Sequence, residues 1–91
     1  MTKTIWKYPL EITDDQTLEL PENSKILTCQ VQNEIVCIWA LVNPETLRIE
    51  KRYVRIIGTG HKIDDSEKLQ YISTIQLHNL SLVFHVFEKV K

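Results

Sequence analysis

The stretch 25-KILTCQVQNEIVCIWALV-42 decides how this chain folds. Two runs rich in β-branched residues flank the dipeptide Asn33–Glu34, a pattern typical of two strands joined by a two-residue turn. That turn predicts an antiparallel hairpin in which Cys29 lies opposite Ile38. Cys37 then lies on the other face of the sheet from Cys29, because side chains alternate along a strand. The register therefore favours free thiols and a reducing compartment, the cytoplasm.

The other apolar segments also alternate with a period of two, which predicts further strands. The last two of them predict a second hairpin with its turn at Asn79–Leu80. In that hairpin Ile75 faces Phe84, and Ile72 faces Phe87. These segments are TIWKYPLE (4–11), QTLEL (16–20), RIEKRYVRII (48–57), LQYISTIQL (69–77) and LVFHVFEKV (82–90).

Residues 1–91 read as a single domain, because no linker, internal repeat or low-complexity stretch divides them. The one helix candidate is DDSEKLQYI at 64–72, and it gives at most one short helical turn because a strand pattern claims its second half. The sequence therefore predicts a mainly β fold with six or seven short strands. They form a small antiparallel sheet or a partly closed barrel, and the pattern leaves open which of the two.

Charge and hydropathy exclude two classes of partner. The chain has 11 Lys and Arg against 12 Asp and Glu, for a net charge of −1, and no stretch is dominated by cations. A protein that holds a long nucleic acid normally carries a basic stripe, so we expect no such partner. The longest mostly apolar run, residues 35–42, is far shorter than the ~20 residues of a membrane-spanning helix. We therefore expect no membrane partner.

The segment 55-RIIGTGHKI-63 contains both glycines of the chain. Glycine permits positive φ and close approach of the backbone to a ligand, and successive N–H groups in such a turn can form an anion-binding concavity. One interpretation is the phosphate end of a small-ligand site. The other is a bulge that ends a strand and begins a loop. The candidate ligand-binding residues are Arg55, Gly58, Thr59, Gly60 and His61.

The segment WKYPL near the N-terminus places two aromatic side chains on one side of a strand. Pro9 cannot donate to a ladder, so this strand is expected at a sheet edge. Trp6 and Tyr8 then belong to the core or to a subunit interface. Alternatively, they form a stacking platform for a nucleobase, with Lys7 on the phosphate.

No pattern in the chain predicts catalysis, a metal or a cofactor. The serines lack a nucleophile-elbow context, and the cysteines sit in apolar strands. His61, His78 and His85 lack the spacing of common zinc sites. His85 instead reads as a sheet histidine with Thr74 as its hydrogen-bond partner. We expect a protein that is not an enzyme.

Five segments together resemble a family of short phage and prophage proteins. Its members carry W-K-Y-P-L near the start, W-A-L-V-[DN]-P in the middle, then G-T-G-H, and L-V-F-H-V-F-E near the end. Small phage β-proteins of this size include nucleotide sponges, which bind the cyclic nucleotide signals of bacterial anti-phage defence without cleaving them. The matching segments are IWKYPLEI (5–12), KILTCQVQN (25–33), IWALVNP (38–44), RIIGTGH (55–61) and LVFHVFE (82–88).

Two functional hypotheses follow. The resemblance implies a non-enzymatic protein of the host bacterial cytoplasm that sequesters a small cyclic nucleotide as a homodimer or homotetramer. The alternative is a structural or protein-interaction β-domain that assembles through its aromatic edge and binds no nucleotide. Self-association is expected in both cases, because a domain of this size buries a limited core and many aromatics fall outside its apolar face.

Overall fold

Seven strands and no helix make up the described residues, 2–77 and 81–90, of a computed structural model of the chain. The predicted turn at Asn79–Leu80 and the candidate His78 lie outside these residues. The mainly β prediction is confirmed. The strands are β1 (Thr4–Pro9), β2 (Asp15–Pro21), β3 (Lys25–Gln32), β4 (Ile35–Val42), β5 (Ile49–Gly58), β6 (Leu69–Leu77) and β7 (Leu82–Lys89).

The strands form two antiparallel sheets that pack face to face. One sheet has three strands in the order β1-β4-β3, and the other has four in the order β2-β5-β7-β6. Alternate residues of both sheets point inward, as the period of two predicts. Their inward side chains form one shared core and a smaller cluster of Leu20, Ala40 and Val42. The main core consists of Leu10, Cys29, Val36, Ile38, Val54, Ile56, Ile75, Leu77 and Val86.

Ser73 partly closes the sandwich on one side. It lies on β6, whose edge faces the edge of β3. The backbone N–H of Cys29 donates to Ser73 Oγ at 2.9 Å, and the Thr28 hydroxyl lies 3.2 Å from the same atom. Ser73 is buried, so this hydroxyl satisfies a backbone donor that no neighbouring strand pairs. The two sheets are therefore linked along one pair of edges, which gives a partly closed arrangement.

The β3–β4 hairpin has the predicted register. Cys29 pairs with Ile38, and both central turn residues have positive φ, 51° at Asn33 and 65° at Glu34. Two positive φ values define a type I′ turn, whose twist matches the flanking strands. Both cysteines are buried and free, as the register predicted.

The β6–β7 hairpin agrees with the predicted register near its turn and differs further along. Ile75 pairs with Phe84 as expected, but the predicted pairing of Ile72 with Phe87 is wrong. A β-bulge at Ile72 shifts the register, so Tyr71 pairs with Phe87 and their rings make an edge-to-face contact at 5.6 Å. The extra residue lets Ile72 pack against the core, which an unbroken alternation does not allow.

A crossing segment, residues 59–68, connects β5 to β6. These two strands run parallel with β7 between them, so the segment returns along the outer face of the four-stranded sheet. Near its end, Glu67 bonds to Arg55 on that face. The sequence predicted at most one helical turn at residues 64–72, and the structure has a single hydrogen-bonded turn at residues 64–67 with no helix. In it the Glu67 N–H donates to the Asp64 carbonyl at 3.0 Å, and the Asp64 carboxylate accepts from Ser66 N–H at 2.8 Å.

Candidate ligand-binding sites

The Gly58–His61 turn, called the glycine turn below, ends β5 and begins the crossing segment. The N–H of His61 donates to the carbonyl of Gly58 at 3.1 Å, and Gly60 has φ +87°. A positive φ at the third position is the mark of a type II β-turn. The glycines were expected to permit positive φ or close approach, and Gly60 has the positive φ whereas Gly58 does not. Gly58 instead permits close approach, because an added Cβ would lie 3.1 Å from Cε1 of the His61 ring.

A chain of hydrogen bonds ties the glycine turn to the outer face of the four-stranded sheet. The Thr59 hydroxyl lies 2.8 Å from Nε2 of His85, and Nδ1 of His85 lies 3.0 Å from the Thr74 hydroxyl. The Thr74 hydroxyl in turn lies 2.6 Å from the Tyr71 hydroxyl. The predicted His85–Thr74 pair is confirmed. Thr59 therefore anchors the turn to β7, and its hydroxyl is directed at the sheet.

A cleft of about 400 Å³ lies beside the glycine turn. Its volume is within the range of small-molecule sites, roughly 300–1,000 Å³. The turn forms one wall, and the first residues of β7 form an apolar wall opposite. The lining residues are Gly58, Thr59, His61, Ser81, Leu82, Val83 and Phe84.

Arg55 does not line this cleft. It lies on the outer face of β5, with Nε 3.1 Å from Oε1 of Glu67 and Nη1 3.7 Å from Oδ2 of Asp15. Its side chain is 19% exposed. These two ion pairs hold the guanidinium between the crossing segment and the first residue of β2, three residues before the turn. Of the five candidates in the glycine segment, Gly58, Thr59 and His61 line the cleft and Gly60 shapes the turn.

The three candidates on β1 lie on two different faces of that strand, which is at a sheet edge as predicted. Trp6 is 41% exposed and pairs with Ala40 on the inner side. Tyr8 packs against the smaller cluster, and burial raises its pKa. Lys7 points to the outer side, where Nζ donates to Oε1 of Gln32 at 2.9 Å. Trp6 is therefore the candidate stacking face with the most open surface.

One chain does not bring Trp6 and the glycine turn together. The cluster beside Trp6 contains Leu20, which pairs with Glu50 at the beginning of β5, whereas Gly58 ends that strand. Eight strand residues span about 26 Å. The aromatic candidates and the glycine turn therefore lie near opposite ends of the sandwich.

A second concave region lies at the other end of the four-stranded sheet. There β7, which runs antiparallel to β5, ends four residues short of the first residue of β5. Lys89, the last residue of β7, pairs with Tyr53, whereas β5 begins at Ile49. Within the described residues, positions 49–52 therefore have β2 on one side and no strand on the other. We call this gap the notch.

Arg52 lies in the notch and joins the two sheets. Its Nε and Nη2 bond the Glu88 carboxylate, with Nη2 at 3.0 Å from Oε1. Its Nη1 donates to the carbonyl of Ser24 at 2.8 Å and lies 3.2 Å from Oε1 of Glu50. The hydrogen bond with Glu88 raises the pKa of Arg52. Cavities of about 340 and 270 Å³ flank this pair, and Gln70 lines both.

The whole chain, residues 1–91, matches the model of a family described as "Domain of unknown function (DUF7352)". The chain belongs to this family. Neither a curated protein nor a solved structure matches it. The family description assigns no activity, so the functional argument rests on the sites themselves.

Two chemical features are absent from the part of this DUF7352 domain that the structure describes. No group of three or more His, Cys, Asp or Glu side chains could hold a metal ion. No helix there is long and apolar enough to cross a membrane. The notch was missed by sequence reasoning because its residues come from β3, β5, β6 and β7, and no local motif links them.

Proposed function

We propose that this protein binds and sequesters a small cyclic nucleotide without cleaving it, as a homo-oligomer. The observation that carries the proposal is the cleft of about 400 Å³ beside the glycine turn. The resemblance to short phage proteins supplies the ligand class, a signal of bacterial anti-phage defence. A sponge must return its ligand intact, so it needs shape and contacts rather than a nucleophile or a general base.

The cleft suits the base of a nucleotide better than its phosphates. Leu82, Val83 and Phe84 supply apolar surface, and His61 supplies a flat ring and a hydrogen-bonding nitrogen. A heteroaromatic base needs this combination of stacking and polar contact. Arg55, which the sequence assigned to the phosphates, is paired with Glu67 and Asp15 instead. Among the described residues, no lysine or arginine lines the cleft, so the phosphates extend out of it toward solvent.

A second subunit supplies the stacking platform in this proposal. Trp6 pairs with Ala40 in the cluster that contains Leu20, near the beginning of β5, whereas the glycine turn follows the end of that strand, so one small ligand does not reach both. A homodimer or homotetramer that places Trp6 of one chain beside the cleft of another completes the site. Ligand binding and assembly are then coupled, because each stabilises the other.

Calorimetric titration with a panel of cyclic di- and trinucleotides tests the proposal. We expect one member to bind, and denaturation of the complex to release that ligand intact and in stoichiometric amount. His61→Ala should weaken binding by about fivefold or more, because stacking on a ring contributes ~1–3 kcal/mol. The matched control is Glu45→Ala, an exposed residue in another turn, which should bind like the wild type. Release of a cleaved product, or binding to no member of the panel, contradicts sequestration.

The second candidate function, an interaction domain, is favoured by the outer face of the three-stranded sheet. The residues of β4 that point outward are apolar, and Ile35 at one end is 51% exposed. Ile5 of β1 lies on the same face and is 53% exposed. An apolar row of this kind is typical of a subunit contact. Light scattering should give a multiple of 10.7 kDa for the wild type and a lower mass for Ile35→Lys. A wild-type mass near 10.7 kDa at micromolar concentration excludes assembly in both candidate functions.

A further inference from the structure

We propose that the notch is a second ligand site and that it binds a small polyanion through a chain of phosphate groups. The notch and the glycine turn lie toward opposite ends of β5, so the proposal stands apart from the cyclic-nucleotide cleft. A site there explains why a chain with net charge −1 gathers cations at one end of a sheet.

Cationic residues from three strands line the two cavities of the notch. Lys51 and Lys89 line the larger cavity, Lys25 lines the smaller one, and Arg52 lines both. Glu88 is the one carboxylate among the described residues that line the two cavities. Both of its oxygens are bonded to Arg52, so its charge is already compensated. Arg52 also pairs with Glu50, and Lys89 pairs with Asp15, so the four cations face three carboxylates and one positive charge is left for a ligand.

Two lysines of the notch have no carboxylate within ion-pair distance among residues 2–77 and 81–90. These are Lys25 and Lys51. Lys89 lies 3.5 Å from Asp15, whose side chain is 59% exposed. An ion pair so exposed to water contributes little to stability, and a ligand with more negative charge readily replaces the carboxylate. Three lysine ammonium groups are thus available to phosphate oxygens.

The Arg52–Glu88 pair forms a rigid part of the wall of the notch. Arg52 uses its Nε and both Nη atoms on Glu88, Glu50 and the Ser24 carbonyl, which connect β7, β5 and the chain just before β3. A guanidinium held from three directions keeps its position when a ligand arrives. The lysines then act as mobile point charges around a rigid centre, and the Gln70 amide adds a hydrogen-bonding group in both cavities.

The shape of the notch sets the size of the ligand. Its larger cavity has a volume of about 340 Å³, at the small end of the range for ligand sites. A chain of two or three phosphates fits such a space, whereas a long nucleic acid needs an extended basic surface. Tyr71 is an aromatic residue that lines the smaller cavity, and it is 57% exposed, so it is within reach of a base attached to the phosphates.

Calorimetry with inorganic triphosphate as the probe, at low and at physiological ionic strength, tests the proposal. We expect binding that weakens with salt, because the contacts are ion pairs at a water-filled site. Lys51→Gln and Lys25→Gln should each weaken binding about tenfold, the loss expected for one charge-assisted contact. Lys62→Gln, next to the glycine turn, is the matched control and should bind like the wild type. All three changes are at exposed positions, so the fold is retained.

A nucleoside triphosphate titrated in parallel identifies which part of a ligand the notch recognises. Equal affinity for the two probes supports recognition of the phosphate chain alone, and tighter binding of the nucleotide supports an added contact with Tyr71. The proposal is overturned if millimolar triphosphate gives neither heat nor a change in Tm. It is also overturned if Lys62→Gln weakens binding as much as Lys51→Gln. His61→Ala must leave triphosphate binding unchanged, which separates this result from the test of the cyclic-nucleotide cleft.

Discussion

Substitution of Gly60 tests the physical basis of the glycine turn. Gly60 has φ +87°, and an added Cβ would meet no heavy atom within 4 Å. Any cost of a side chain there is therefore a backbone cost. A left-handed conformation costs an L-residue roughly 1–2 kcal/mol, and alanine recovers about 0.4–1 kcal/mol because it restricts the unfolded chain. We expect Gly60→Ala to lower the free energy of unfolding by about 1 kcal/mol.

Three variants at the same position separate backbone strain from other effects. Gly60→Asn should cost less than Gly60→Ala, because asparagine tolerates positive φ. Gly60→Val should cost more, about 2 kcal/mol, because a β-branched residue is a genuine outlier there. Gly58→Ala is the matched comparison, since Gly58 has no positive φ and the atoms nearest to its added Cβ belong to the movable ring of His61. That variant should keep most of the stability and displace the ring.

Equilibrium unfolding in urea measures these differences. A loss of 1 kcal/mol lowers the denaturant midpoint at constant m, and lowers Tm by roughly 4–8 °C in a domain of this size. An unchanged midpoint for Gly60→Val at unchanged m refutes the requirement for positive φ. If Gly60→Asn costs as much as Gly60→Val, the cause is the volume of the side chain, contrary to the open space at this position.

Three further predictions concern Ser73 on β6 and Cys29 on β3, which are joined by a hydrogen bond. Ser73→Ala should lower the free energy of unfolding by about 1–3 kcal/mol in the same urea assay, because the buried N–H of Cys29 loses its acceptor. The control, Ser66→Ala at an exposed position, should change it by less than about 0.5 kcal/mol, and an equally small change for Ser73→Ala would contradict the role of this hydroxyl. Burial raises the pKa of Cys29 from 9.0 to about 12, so iodoacetamide at pH 8 should leave it unmodified in the native protein and label it fully after unfolding, and rapid native labelling would contradict this burial. Because the pKa of Cys29 is higher in the folded than in the unfolded protein, its contribution to the free energy of unfolding is fully present below about pH 9 and is lost as the pH rises toward 12. Cys29→Ala should remove this contribution to the pH dependence.

The sequence predicted local pairing well wherever one turn and one alternating pattern control the register. The β3–β4 hairpin is the clearest case: its two-residue turn fixes Cys29 opposite Ile38, and the structure has that pair. The prediction failed at Ile72, because a bulge changes the alternation without any glycine or proline to announce it. Tyr71 and Ile72 are both apolar enough to face a core, so the local pattern does not say which one does.

The candidate sites were less predictable, because they depend on contacts between distant segments. The glycine turn was found from composition, since both glycines occur there, but the partner of Arg55 was not. Glu67 reaches Arg55 only because β6 runs parallel to β5, which sends the crossing segment over the outer face of the sheet. Sheet order is set by packing across the whole chain. The alternating pattern does not show how far a strand extends beside its neighbour. The sequence therefore contained no sign of the notch, which exists because β7 ends at Lys89, opposite Tyr53.

Both proposed sites depend on β5, and this has a consequence for how they work. The strand is paired along its whole length, with β2 at residues 49–55 and with β7 at residues 53–58, which holds it firmly in the sheet. Gly58 is six positions after Arg52, a distance of about 20 Å along the strand. A rigid strand of that length keeps ligands at its two ends from touching, so within one chain they bind independently. Competition between triphosphate and a cyclic nucleotide would therefore mean that the notch of one subunit lies beside the glycine turn of another. The subunit contact would then lie at the ends of the four-stranded sheet and not on the apolar face of β4.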